Sequence, residues 1–217
     1  AICHREDVEA ALRTPGFGGF QMLDLQDFSG QGTALVGMLN VFMESKGLIT
    51  PHKWREFCCE TVPLLWMTKY TWTNDETFNA RIRLAHYGPS DLQDQLVSWS
   101  VSDGGSREIA GGSTRRMHMR TGTVSDVDLF SVSLAEIKKP HKLEIILEVD
   151  GTGFRNTYPI WVYPAKINTK PPAGIKVVRS FTASVQADLA GGASILLIPE
   201  PGKIKQSIRG AFQTSFW

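Results

Sequence analysis

Hydrophobic and polar positions alternate with a period of two through the middle of the chain. Phe78, Ala80, Ile82 and Leu84 interleave with Asn79, Arg81 and Arg83. Val97, Trp99 and Val101 do so with Ser98 and Ser100. Leu143, Ile145, Leu147 and Val149 do so with Glu144 and Glu148, although Ile146 interrupts that polar face. Successive side chains of a strand point to opposite faces, so each segment predicts a half-buried antiparallel strand. Turn residues separate them at Asn74-Asp75, Gly88-Pro89, Asp103-Gly104-Gly105 and Asp150-Gly151. Roughly six or seven short strands in about 100 residues predict an immunoglobulin-like β-sandwich over residues 63–166.

The pattern is different on either side. Residues 4–13 predict a helix ended by Thr14-Pro15-Gly16. Residues 18–28 form a largely apolar run of strand length, as in strands buried on both faces in parallel sheets. Ser29-Gly30-Gln31-Gly32 breaks that run, and residues 33–42 can form the next helix. Thr50-Pro51 is a helix start, a cap residue followed by proline at the first helical position, and predicts a helix over residues 52–60. Beyond the sandwich, Lys170-Pro171-Pro172-Ala173-Gly174 has the composition of a linker. A helix over residues 181–189 then stops at Gly191-Gly192, and residues 193–198 read as a buried parallel strand. The fold class is therefore mixed α+β: an antiparallel sandwich flanked by two α/β pieces.

Composition narrows the functions. With 217 residues, 42% of them hydrophobic, the chain can build a sizeable core. A net charge of +1 gives no basis for broad electrostatic capture of nucleic acid or an anionic membrane. No run of about 18 apolar residues is long enough to span a bilayer. The first residues lack the basic-then-apolar pattern of a signal peptide. Cys3, Cys58 and Cys59 have neither metal-ligand spacing nor the pairing of a disulfide framework, and read as buried thiols.

Residues 18–37, GGFQMLDLQDFSGQGTALVG, resemble the end of the barrel domain in glycoside hydrolase family 2, to which β-galactosidases and β-glucuronidases belong. In that family the last barrel strand carries Gly-Gly-Phe and a sugar-lining segment; a closing helix and an immunoglobulin-like domain follow. The resemblance implies three parts. Residues 1–62 would be the C-terminal piece of a TIM barrel, residues 63–166 the sandwich, and residues 167–217 a linker with the beginning of an α/β accessory domain. It also implies a periplasmic or extracellular protein and carbohydrate as the partner of the full-length enzyme. The tryptophans expected after Gly-Gly-Phe are replaced by Met22, Leu23 and Asp24, which removes the usual aromatic platform and leaves the sugar open. A lone barrel strand has unpaired edges, so residues 17–28 are expected to pair with another chain, giving a homo-oligomer, or to refold against the sandwich.

Retaining glycoside hydrolysis needs two carboxyl groups about 5–5.5 Å apart. Asp24 and Asp27, three residues apart on a strand, would be roughly 10 Å apart on opposite faces, so they cannot be that pair. In the family both catalytic glutamates come from earlier barrel strands, so no catalytic residue is assigned in this chain. Asp24, Gln26, Asp27 and Gln31 would lie at the active end of the barrel. They are candidates for hydrogen bonding to sugar hydroxyls; otherwise they cap the following helix and satisfy loop amides.

No cofactor is implied. Gly30-Gln31-Gly32 lacks the third glycine and the downstream acid of a dinucleotide loop. The five histidines have no metal-binding spacing. Arg115, Arg116, His118 and Arg120 interleave with Met117 and Met119 as a strand with one solvated face, which argues against a nucleic-acid site. No Gly-x-Ser-x-Gly elbow occurs. Trp99 is expected in the core. Trp54, Trp66, Trp72, Trp161 and Trp217 are open between interdomain packing and carbohydrate stacking. The leading function is a scaffolding segment of a glycoside hydrolase; the alternative is a carbohydrate-binding or purely structural immunoglobulin-like module.

Overall fold

The computed structural model describes residues 2–23, 25–28, 30, 35–105 and 107–205. The chain divides into two compact units, residues 1–165 and 166–217.

The first unit begins with helices α1 (Ile2–Arg13) and α2 (Pro51–Arg55). Ten strands follow: β1 (Thr61–Trp66), β2 (Thr71–Thr73), β3 (Thr77–His86), β4 (Leu92–Gln95), β5 (Val97–Ser102), β6 (Glu108–Ser113), β7 (Met117–Met119), β8 (Thr123–Ser133), β9 (His141–Val149) and β10 (Arg155–Tyr163). A three-stranded sheet in the order β1-β3-β8 faces a five-stranded sheet in the order β2-β10-β9-β5-β6. β2 pairs parallel with β10, so the chain leaves the small sheet after β1 and joins the large one. The alternation read in the sequence becomes burial: Phe78, Ala80, Ile82 and Leu84 of β3 meet Leu143, Ile145 and Leu147 of β9 in one core cluster. Each large side chain fully removed from water there contributes about 1.5–3 kcal/mol.

Helix α1 is fastened to this sandwich through polar groups. Glu9 has 0% exposure. Its Oε1 accepts from Arg5 Nε at 2.9 Å and from Asn156 Nδ2 at 3.0 Å. Its Oε2 accepts from Tyr158 Oη at 3.0 Å and pairs with Arg13. Arg5 also donates to Thr157 O at 2.7 Å and lies 4.2 Å over the Tyr158 ring. Arg13 donates to Leu65 O at 3.1 Å, and Arg83 donates to Arg13 O at 2.7 Å. One helix thereby holds the edge strand of one sheet and the last strand of the other.

Two expectations fail on the amino-terminal side. Residues 17–28 form no strand among the described residues; Gln26 makes a single parallel bridge to Leu39. A buried-strand pattern needs neighbours to cover it, whereas Phe17, Phe20, Leu23, Leu25 and Phe28 are exposed. Residues 35–42 are not helical either, and residues 33–34 lie outside the described residues. The Asn40 side chain instead accepts from Phe42 N at 2.9 Å and Glu44 N at 3.0 Å, which closes a turn where a helix would continue. Helix α2 starts where expected, with Thr50 Oγ1 accepting from Lys53 N, but ends at Arg55. Five residues separate it from β1, and the chain turns through residues 56–60 to enter that strand.

The second unit pairs β11 (Ile175–Val178) in parallel with β12 (Ser194–Leu197), joined by α3 (Ala183–Ala190). Thr182 caps α3 and Gly191 ends it.

Removing one partner of a buried charge network leaves the others unpaired, which typically costs about 3–5 kcal/mol. Glu9→Ala is therefore expected to lower the stability of the first unit by that order in urea titrations followed by tryptophan fluorescence. A loss below about 1 kcal/mol would mean the network does not hold α1.

Candidate functional site

The outward face of the small sheet gathers side chains that no core requires. In register across the three adjacent strands stand Trp66, Arg81 and Leu129, with Asn79 and Ser131 on the next outward rung. β3 alternates buried and exposed positions up to Ile82, so Asn79 and Arg81 must point away from the core. Trp66 is 54% exposed and Leu129 66%. The Arg81 guanidinium lies 5.5 Å from the Trp66 ring centroid. Its Nη1 is 3.7 Å from Asp126 Oδ1, which Arg83 Nε approaches at 3.0 Å. Ser131 Oγ donates to Asn79 Oδ1 at 2.6 Å. Together with Thr68 these side chains line an open cleft of about 340 Å³. It presents an indole face, a cation, an amide and hydroxyls, with no nucleophile and no close pair of carboxyl groups. Such a surface offers stacking and hydrogen-bonding contacts to a ligand.

The candidates on the amino-terminal segment fall elsewhere. Asp24 and Gln31 lie outside the described residues. Gln26 is exposed beside its bridge to Leu39. Asp27 is 7% exposed, and Lys46 Nζ approaches its two oxygens at 2.9 and 3.0 Å. Asp27 Oδ1 also accepts from Gly37 N at 2.9 Å. Gly37 is required there: a Cβ would sit 2.4 Å from Asp27 N and 2.3 Å from Gln26 C, a space only glycine leaves open. Asp27 thus satisfies one loop amide and pairs with one lysine.

The remaining chemistry is structural. His86 is buried, with Nε2 2.8 Å from Ser90 O and Nδ1 2.8 Å from Thr61 Oγ1. A carbonyl can only accept, so Nε2 carries a proton, and in the neutral ring Nδ1 then accepts from the threonine. In the basic cluster, His118 faces Asp91 at 3.2 Å and Arg116 faces Asp94 at 3.4 Å. Met119 turns inward from the same short strand. The thiols of Cys58 and Cys59 are pushed above the ordinary cysteine range, chiefly by burial. Among the described residues, no three His, Cys, Asp or Glu side chains converge as a metal centre needs. Trp99 stacks on Phe130 at 4.1 Å against the core, half-buried beside Gly112. Trp72 is buried edge-on to Phe78. Trp217 lies outside the described residues.

Sequence reasoning missed the Glu9 network. Its signal was the spacing of Arg5, Glu9 and Arg13, which places all three on one helical face.

A family model described as a domain of unknown function, DUF8488, matches residues 76–164, less than half of the chain and the stretch from β3 to β10. No curated protein matches. Among solved structures the chain is similar to a β-glucosidase, EmGH1, from Erythrobacter marinus: 14% identity, TM-score 0.36, 47% of this chain and 15% of that one. It is also similar to the alkylpurine DNA glycosylase AlkC from Pseudomonas fluorescens: 12% identity, TM-score 0.37, 48% of this chain and 31% of that one. A β-glucuronidase of glycoside hydrolase family 2 gives 6% identity and TM-score 0.33, over 47% of this chain and 11% of that one. The chain thus spans less than a third of each solved chain, and similarity at this level assigns no activity.

The thiolate is the nucleophile toward alkylating agents, and burial disfavours it. At pH 8, iodoacetamide is therefore expected to label the exposed Cys3 first and Cys58 and Cys59 more slowly, as read by peptide mass spectrometry. Faster labelling of either member of the adjacent pair would contradict the burial described here.

Proposed function

We propose that this chain is the sandwich-bearing part of a carbohydrate-active enzyme of the family 2 glycoside hydrolase type, where it scaffolds and does not catalyse. The observation that carries this reading is the contrast between its two amino-terminal segments. Helix α1 is locked into the sandwich through Glu9. The following stretch, the one that resembles a last barrel strand, leaves Phe20, Leu23, Leu25, Phe28, Leu35 and Phe42 in solvent. A bare apolar series of that length is the signature of an interaction surface. In this reading the missing cover is the rest of a barrel, and the sandwich fixes where that barrel ends.

Three further features support it. The small sheet β1-β3-β8, with β2 running parallel to the last strand of the large sheet, fits an immunoglobulin-like domain. The parallel β11-α3-β12 unit fits the opening of an α/β accessory domain. Asp27, the only acid of the amino-terminal candidates within the described residues, is committed to Lys46 and Gly37. Catalytic carboxylates would then come from elsewhere in the enzyme, which would work outside the cytoplasm, as the resemblance implies.

With a panel of p-nitrophenyl glycosides, the chain is expected to release no more p-nitrophenol than buffer. Turnover that disappears on Asp27→Asn would overturn the scaffolding role. The combined change Phe20→Ser, Leu23→Ser and Phe28→Ser is expected to lower the fluorescence of the hydrophobic probe ANS. It should lower stability by no more than about 1.5 kcal/mol per site, because Phe20 is 45% exposed, Phe28 55% and Leu23 82%. Loss of the cooperative unfolding transition in that variant would show that they form a core of this chain.

A further inference from the structure

The cleft on the small sheet has an occupant that its chemistry specifies, and none of its residues belongs to α1 or to the bare amino-terminal segment. We propose that the Trp66–Arg81–Leu129 face is a binding site for a neutral pyranose chain.

Three observations lead there. First, Trp66 is turned outward at 54% exposure while Trp72 supplies the buried indole of the same region, so the fold does not need Trp66 where it is. The outward indole and the 66% exposed Leu129 flank Arg81 in register, forming a strip across three strands that is apolar at its two ends and cationic in the middle. The C–H face of a pyranose ring is the kind of ligand surface that such a strip covers.

Second, polar groups border the strip at the spacing of one strand rung. Asn79 and Ser131 are already joined at 2.6 Å, which fixes their orientation before any ligand arrives. Arg81, held over the indole at 5.5 Å, supplies further donors in a rigid fork. Ring hydroxyls are both donors and acceptors, and this rim offers both. At about 340 Å³ the cleft falls at the small end of ligand sites, suited to one or two sugar rings.

Third, the exposed cation Arg81 has an exposed carboxylate beside it, whereas the Arg83 side chain is only 13% exposed. Arg81 has Asp126 at 3.7 Å, and Arg83 approaches the same carboxylate at 3.0 Å. A uronate or phosphate would meet Asp126 as well as Arg81, so the site favours an uncharged sugar. This inference goes beyond the scaffolding role and does not depend on it: the site stands or falls by saccharide retention, whatever the source of the catalytic carboxylates.

The test is affinity electrophoresis of the whole chain in gels containing laminarin, barley β-glucan, xylan or dextran, with polygalacturonate as the acidic comparison. Retardation is expected in at least one neutral gel and not in polygalacturonate. Trp66→Ala should weaken it roughly tenfold, the loss of one stacked ring. Leu129→Arg, which crowds the strip from the other side, should do the same, while Trp161→Ala on the large sheet should change nothing. Circular dichroism establishes that each variant is folded. Migration unaffected by every neutral polysaccharide would overturn the proposal. So would equal loss in Trp161→Ala, retention by polygalacturonate alone, or a Trp66-dependent dimer in sedimentation without saccharide retention.

Discussion

A carboxylate with no exposure to water must recover its lost hydration from the protein, and that requirement organises the first unit. Taking an ion such as Glu9 out of solvent costs several kcal/mol, and the cost is offset only when good donors surround it. Here they come from α1 itself through Arg5 and Arg13 and from β10 through Asn156 and Tyr158. Arg13 reaches in turn to the backbone of β1 at Leu65. No subset of these elements satisfies the charge alone. Helix, edge strand and last strand must be in place together, so the polar network sets the position of α1 more narrowly than apolar packing would.

The amino-terminal residues divide accordingly. α1 belongs to the sandwich, and α2 follows it through Phe57, whose ring lies 5.9 Å from the Arg5 guanidinium. The segment between them is held to itself: Asp27 clamps Lys46 and the Gly37 amide, and Asn40 closes its own turn. Met38 is buried within it, while Leu23, Phe28, Leu35 and Phe42 stay exposed. A polar fastening on one side and exposed apolar side chains on the other are the two features on which the proposed scaffolding role rests. The outward strip at Trp66 is a separate surface, made by strand register alone.

How much of this was legible depended on how local the cause is. Alternation from Phe78 to Leu84 became half-buried β3 because period and burial are two sides of one geometry. Thr50-Pro51 began α2 because a cap acts within three residues, and the helix read over residues 181–189 is α3. The run over residues 18–28 misled because a continuous apolar stretch looks the same whether neighbours cover it or not. Asp27 was legible as an acid near a glycine loop, but its role depends on how closely Gly37 crosses its backbone, which no spacing reveals. Arg5, Glu9 and Arg13 announce one helical face, whereas their partners Asn156 and Tyr158 lie 147 and 149 residues from Glu9. The Trp66–Arg81–Leu129 row needed the register of three strands that are not consecutive in the chain.

Native-state hydrogen exchange tests most directly whether α1 is an integral part of the sandwich, because amides that open only with global unfolding share its free energy. Amides of α1 around Val8, Glu9 and Ala10 should exchange at the same slow limit as those of β1 and β10. Exchange of α1 as fast as that of the uncovered segment over residues 35–48 would contradict the account.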